Sequence, residues 1–283
     1  MREMAGKDDI WTKIGNIDRR IYWWILTIVM LVSLVIPLGL PKKISPITQD
    51  YYREIMELPS DKVVVFALEL GYPSPEEWPM AVATMKTMMS RHLKFVVFSV
   101  IEAGTHTSFR QLEVDCNIKS QYVYGVDYVW IGYVVGGEMA LSSMASDFKS
   151  GAKVDGYGTS LYDYDKLPLM KDINNAGSFG LLILLGGHGG LYQIQWGARY
   201  HLAMINGLSG LLLPTMLAYY PDIVHAYICG AQGAAEYEQV SGFLGSAGAQ
   251  LDMLSMAHLV LVTMIVIGNL AYIFERRRKL GGK

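Results

Sequence analysis

The run LLILLGGHGGLYQ, residues 181–193, ends an apolar stretch in four glycines that flank one histidine, His188. Successive glycines after a strand can turn backbone N–H groups toward an anion, and a helix start just beyond adds a favourable dipole. Gly187, His188 and Gly189 are therefore candidate ligand-binding residues. The run matches neither GxGxxG nor GxxxxGK[ST], so it implies no nucleotide. His188 also has no metal-ligating side chain three or four residues away. A tight turn, with glycine supplying positive φ, is the competing explanation. Three carboxylates join the histidine as candidates, because ligands of open α/β sheets bind outside the carboxyl ends of the strands. Glu69 and Glu102 end apolar runs, and Glu138 follows one. Together with His188 they could bind a divalent cation or act as general acid and base. No HExxH, DxD or nucleophile-elbow pattern accompanies them, and polar residues are common at strand ends.

Alternating strands and helices must position these residues. Continuous apolar runs at 63–70, 94–102, 128–135, 179–187 and 223–230 read as buried parallel strands. Helical stretches are predicted at 80–92, 107–119 and 137–148, and a polar, Gly- and Tyr-rich connection at 149–165. The expectation is an α/β fold: a three-layer domain with a mostly parallel sheet, inserted between two transmembrane helices.

The membrane reading comes from the ends. Residues 21–40 and 253–274 carry no Asp, Glu, Lys or Arg. About twenty such residues in a helix span roughly 30 Å, the thickness of a bilayer core. Arg19 and Arg20 precede the first run, and Arg276, Arg277, Arg278 and Lys279 follow the second. That cationic weight predicts cytoplasmic termini and an extracytoplasmic domain over residues 41–252. The localisation expected is the plasma membrane of a prokaryote. The first run is longer than the apolar core of a signal peptide and lacks a small-x-small cleavage site, which favours an uncleaved anchor. Ile10, Trp11, Ile14, Ile17 and Ile21 suggest an amphipathic helix over residues 1–20, with a loose tail as the alternative. Residues 275–283 form a basic tail. Residues 201–220 are also free of charged side chains. Asn206, Pro214 and the glycines within them favour a buried helix and loop over a third span.

Composition narrows the function classes. The chain has 283 residues, 52% hydrophobic and 18% charged, with a net charge of -2, and no basic stripe interleaved with aromatics, which argues against nucleic acid. Cys116 and Cys229 are too few for a disulfide framework, although one bridge is conceivable outside the cytoplasm. Glu236 and Glu238 are expected in the first turns of a helix, where carboxylates favour the dipole. Tyr157, Tyr162, Asp163 and Tyr164 could form a carbohydrate or protein contact surface. Gly268 beside Asn269 in the second apolar run suits close contact with another membrane helix, from this chain or from a partner.

The segments IGNIDRRIYWW, IPLGLPKKISP, GAAEYE and MAHLVLVTMIVIGNLAYIFERRRK, in that order along nearly the whole chain, resemble a family of prokaryotic two-span membrane proteins with an extracytoplasmic α/β domain and no assigned activity. The resemblance implies the anchor–domain–anchor layout and assigns no catalytic residue or cofactor. The leading expectation is a non-enzymatic, membrane-anchored structural or interaction subunit. Its partners would be the lipid bilayer and other membrane subunits or further copies of itself. Alternatives are a small-molecule binding or sensing subunit of transport, and a metal-assisted hydrolase using the strand-end residues.

Overall fold

The computed structural model describes residues 17–36, 39, 42–72, 74–187 and 190–281. The chain divides into two compact units, one of residues Lys42–Gly248 and one built from the described residues of Met1–Pro41 and Ala249–Lys283.

In chain order the helices are α1 (Arg19–Val35), α2 (Pro46–Met56), α3 (Glu77–Ser90), α4 (Thr105–Asp115), α5 (Ile118–Gln121), α6 (Gly137–Ser146), α7 (Phe148–Ala152), α8 (Leu213–Met216), α9 (Gly230–Ser241) and α10 (Ala247–Gly281). The strands are β1 (Val63–Glu69), β2 (Lys94–Ser99), β3 (Tyr128–Tyr133), β4 (Phe179–Gly186), β5 (Met204–Leu208) and β6 (Val224–Cys229). They form one parallel sheet in the order β3-β2-β1-β4-β5-β6.

The central strands are apolar throughout because helices cover both faces. Val65, Ala67, Val96, Phe98, Leu182 and Leu184 face one core with Leu141, Met144, Phe148, Tyr192 and Trp196. The alternate residues Val64, Phe66, Val97 and Trp130 are equally buried on the other face. There Phe109 of α4 stacks on Trp130 at 5.2 Å.

Several expectations change. The segment 201–220 contributes a strand, β5, followed by the short helix α8, so it forms neither the expected helix and loop nor a span. Gly207 lies within β5, and a Cβ there would meet Leu185 and the Met80 sulfur, so a helix and a strand close in on it. Helix α2 is an additional element that buries Tyr51 and Ile55 fully. Strand β2 ends at Ser99, which puts Glu102 in a loop, and β3 ends at Tyr133. The expected helix over 107–119 begins earlier and is broken after Asp115, where Asn117 takes φ +52°.

The ends also differ. Helix α1 has 17 residues, fewer than the expected span, and ends at Val35. Ile36 leaves helical geometry (φ -120°, ψ 85°), as a residue preceding proline does. Pro37, Leu38, Leu40 and Pro41, the end of the expected first span, lie outside the described residues, as does the amphipathic segment up to residue 16. Among the described residues one helix is long and apolar enough to cross a membrane, over Ala247–Phe274. It starts six residues before the expected 253.

Glu236 and Glu238 are not first-turn carboxylates, since α9 begins at Gly230. Both are buried and bind neighbouring segments. Glu236 accepts hydrogen bonds from the Ser45 N–H (2.9 Å) and hydroxyl (2.6 Å), the Thr48 hydroxyl (3.0 Å) and Gln232 Nε2 (2.8 Å). Glu238 accepts from the N–H groups of Ala247 (3.1 Å) and Gly248 (3.2 Å), which caps the first turn of α10. Cys116 and Cys229 are both free thiols.

Along α10 the less exposed positions Met253, Ala257, Val260, Met264 and Ala271 follow one stripe. At about 100° per residue, Asn269 projects from the opposite side. A Cβ on Gly268 would have nothing within 4 Å.

Candidate functional site

The strand order turns back on itself between β1 and β4, and a crevice opens at the carboxyl ends where such an order reverses. Glu69 ends β1 there, and Gly186 ends β4 directly beside it in register.

Glu69 is buried, and its carboxylate is fully occupied. It accepts from the Ser99 hydroxyl (2.5 Å) and from the N–H groups of Val100 (3.0 Å), Ile101 (3.2 Å) and Glu102 (3.1 Å). The Tyr192 hydroxyl donates a further hydrogen bond. Burial, then the Glu69 charge, raises the Tyr192 phenol well above its ordinary range, so it stays protonated as a donor. Glu69 therefore ties the loop after β2 to the segment after β4.

The other strand-end candidates do not share that point. Glu102 contributes its backbone N–H to Glu69, while its carboxylate lies against Gly71. Glu138 is exposed and accepts from Gln195 Nε2 at 3.1 Å. His188 and Gly189 lie outside the described residues. Among the described residues no group of three or more His, Cys, Asp or Glu side chains could hold a metal ion. Burial and then the charge of Glu76 raise the Cys229 thiol, and burial pushes Cys116 up to about 12.

The glycines of the turn have a steric reason. Gly186, Gly187 and Gly190 take φ of +73°, +87° and +86°, a region L side chains rarely adopt. A Cβ on Gly186 would also meet the Glu69 carbonyl oxygen, and one on Gly190 the Tyr219 hydroxyl.

Residues 191–200 then form a helical segment whose centre, Gln193–Ala198, is π-helical. Such turns are rare and frequently mark functional sites. Trp196 anchors this one. Its indole N–H donates to the Leu141 carbonyl at 3.0 Å, and its ring lies 5.5 Å from Phe98 and 5.8 Å from Phe179. With Tyr192 held by Glu69 on one side and Trp196 fixed on the other, Gln193 is placed by its neighbours.

Gln193 is among the residues lining a small cavity of ≈ 20 Å³ over the ends of β4 and β5, room for about one water. Asn206 of β5 lines it too, with Gly186, Gly187, Gly190 and Thr215. Gln193 and Asn206 are each 3% exposed, and neither Gln193 Oε1 nor Asn206 Oδ1 has a hydrogen-bond partner. Leaving a buried acceptor unpaired costs about 1–3 kcal/mol. Two such groups on one cavity constitute the strongest local sign of a missing partner. Sequence reasoning passed over both residues. The available signals were an amide inside an apolar run, for Asn206, and a second amide four residues past the glycine turn, for Gln193.

The surrounding charge is one-sided. The loops and first helical residues at the carboxyl ends of the strands contain Glu69, Glu76, Glu77, Glu102 and Glu138 but no Lys or Arg. Glu77 accepts from the Ser209 N–H at 3.3 Å, just past the end of β5. The cations Lys62, Arg91, Lys94 and Arg199 belong to the opposite, amino-terminal edge. Among the described residues the arrangement brings together no nucleophile, base and oxyanion donors. Compared with known protein families, curated proteins and solved structures, the chain matches none.

Proposed function

We propose that this protein is a membrane-tethered binding subunit whose α/β domain receives a small molecule at the carboxyl edge of the sheet. The observation that carries this reading is the convergence of two buried, unpartnered carboxamides, Gln193 and Asn206, on one cavity beside a glycine turn. Structural amides in a finished core find partners; these two keep open hydrogen-bonding capacity where α/β sheets take ligands. Tethering rests on the apolar length of Ala247–Phe274 and the basic residues that follow it. In this reading residues 21–40 form a second anchor and the cationic flanks hold both termini in the cytoplasm, displaying the domain outside. Thermal-shift screening of the full-length protein in detergent with sugars, amino acids, anions and amines tests it. At least one class should give a saturable shift that Gln193→Leu abolishes. A flat response across all classes rejects it.

Assembly with other membrane helices is a second reading, and one observation favours it. Asn269 projects from the side of α10 opposite its covered stripe, and Gly268 next to it leaves room for a close neighbour. Asn269→Leu is expected to shift the mass of the particle in native mass spectrometry toward fewer copies while the melting of the α/β domain stays within about 0.5 kcal/mol. An unchanged particle mass removes this reading.

A further inference from the structure

Residues 242–246, GFLGS, join α9 to α10, the helix long and apolar enough to cross a membrane. Gly242 closes α9 with φ +75°. A Cβ on Gly245 would lie 2.6 Å from Glu238 Oε1, so the loop is pressed against the carboxylate that caps the first turn of α10. That backbone leaves Phe243 half-buried and Leu244 79% exposed. The chain itself sets how far this apolar side chain stands from lipid. From Ala247 to Met253, where the uncharged run begins, the helix rises about 9 Å. The headgroup layer on each side of a bilayer is roughly 5–8 Å thick. With α10 spanning the membrane, the loop therefore stands at the headgroup layer, where an exposed leucine meets lipid instead of bulk water.

Two clefts flank Phe243. One, of ≈ 280 Å³, is lined by Trp78, Pro79, Val82 and Ala83 of α3 and by Phe243 and Leu244. The other, of ≈ 340 Å³, is lined by Met89, Cys116, Gln121 and again Phe243. Lys86 lines both. It is half-buried, and among the described residues it makes no ion pair. At Cys116 burial pushes the thiol up and the Lys86 charge opposes it, so the ammonium is felt on the side of the second cleft. No carboxylate lines that cleft. Asp115 and Glu238 line the first, with their oxygens already taken. Asp115 accepts from Trp78 Nε1 (2.9 Å) and Gln111 Nε2 (2.8 Å), and Glu238 from the N–H groups of Ala247 and Gly248. A free anion would use Lys86 and leave the apolar wall and Leu244 without a role; a hydrocarbon chain alone would do the reverse. An amphiphile with a phosphate uses both. We propose that the clefts beside Phe243 seat one phospholipid, its phosphate on Lys86 and the upper part of its chains along Phe243 and Leu244. The inference rests on the tethered reading and adds a specific lipid ligand for the α/β domain.

The test uses the full-length protein in detergent, titrated with phosphatidylglycerol, phosphatidylcholine, diacylglycerol or inorganic phosphate. Native mass spectrometry counts bound lipid, and thermal melting reports stabilisation. Both phospholipids should give a saturable adduct that diacylglycerol and phosphate do not. Lys86→Gln keeps a good helix former and should weaken that adduct about five-fold, the effect of one lysine at a headgroup. Leu244→Ser should weaken it about ten-fold through lost apolar contact. Lys171→Gln, at an exposed lysine outside both clefts, should leave it unchanged. Leu244→Ser alters only an exposed loop position, so it carries the test should Lys86→Gln fail to fold. Equal adducts in wild type and both variants overturn the assignment. So does a diacylglycerol adduct as strong as the phospholipid one, or a saturable response to phosphate that Leu244→Ser leaves intact. Carbonate extraction separates this failure from failure of the tether. Protein kept in membranes without a Lys86-dependent adduct rejects the phospholipid site alone; protein released to the soluble fraction rejects the tether and the site together.

Discussion

On the β1 side of the switch point a buried carboxylate, Glu69, has both oxygens engaged by donors from two segments, Ser99–Glu102 and Tyr192. On the β5 side two buried amides, Gln193 and Asn206, have free acceptors. Tyr192 and Gln193 are consecutive, yet the Tyr192 hydroxyl closes the network while Gln193, which lines the cavity, keeps its Oε1 unpartnered. The contrast separates two roles that residue type alone suggests in reverse. An ionised group is too costly to bury unpaired, so the structure surrounds it and it becomes a clamp. A neutral amide is cheap enough to keep unsatisfied, so it can remain available to a ligand.

Substitutions that act on the clamp should be large. Glu69→Ala would leave the Tyr192 hydroxyl and the Val100 N–H buried without their acceptor, and would leave the Ile101 and Glu102 N–H groups only Ser99 Oγ. The expected loss is about 3–5 kcal/mol, read as the shift in the urea midpoint of the α/β domain at constant slope. A loss under about 1 kcal/mol would mean water replaces the carboxylate and the clamp is not structural. An intermediate effect is expected at the boundary between the two regions. Gly187→Ala forces a side chain into φ +87° and brings its Cβ to 3.2 Å from Leu184 Cδ1. About 1–2 kcal/mol should be lost in thermal unfolding, together with any ligand response, since the same glycine lines the cavity. Loss of stability with the ligand response intact would detach the turn from the site.

The smallest effect extends the comparison to a second buried carboxylate. Burial of Glu236 raises its pKa, but hydrogen bonds from the Ser45 side chain and backbone, then Gln232 and Thr48, outweigh that and leave it lowered overall. A lowered folded-state pKa contributes stability that is complete above the unfolded glutamate value and is lost as pH falls through the folded one. Glu236→Gln should therefore cost about 1 kcal/mol at neutral pH and less as the medium is acidified below the ordinary glutamate range. Parallel acid limbs for wild type and variant would show that Glu236 does not carry this linkage.

The legible parts of the molecule share one cause. Strands β1, β2, β3 and β4 were visible as continuous apolar runs because burial on both faces removes the polar alternation of an exposed sheet, while the edge strand β6 keeps an alternating pattern with His225 exposed. Strand β5 was hidden: its five residues, MINGL, hold an amide and a glycine, and the long apolar stretch that follows disguised it as helix. Glu69 was found by position, near the end of the apolar run 63–70. Its use as a clamp was not legible, since Ser99, Val100, Ile101, Glu102 and Tyr192 come from segments 30 to 123 residues away. The same holds for Glu236 and Glu238, whose residue type suited a helix dipole while their partners lie at Ser45 and Thr48 and at Ala247 and Gly248.

By itself the sequence determined the kinds of element, because hydrophobic periodicity is local: a parallel α/β domain, a long apolar helix near the carboxyl end, and glycines where the chain must turn with positive φ. It also set the sign of the field at the carboxyl edge, since every Lys and Arg falls outside those loops. Tertiary structure alone decided which polar groups would be satisfied. Hydrogen bonds between distant segments consume Glu69 and leave Gln193 and Asn206 spare, and no local pattern encodes which buried acceptor will meet its donor.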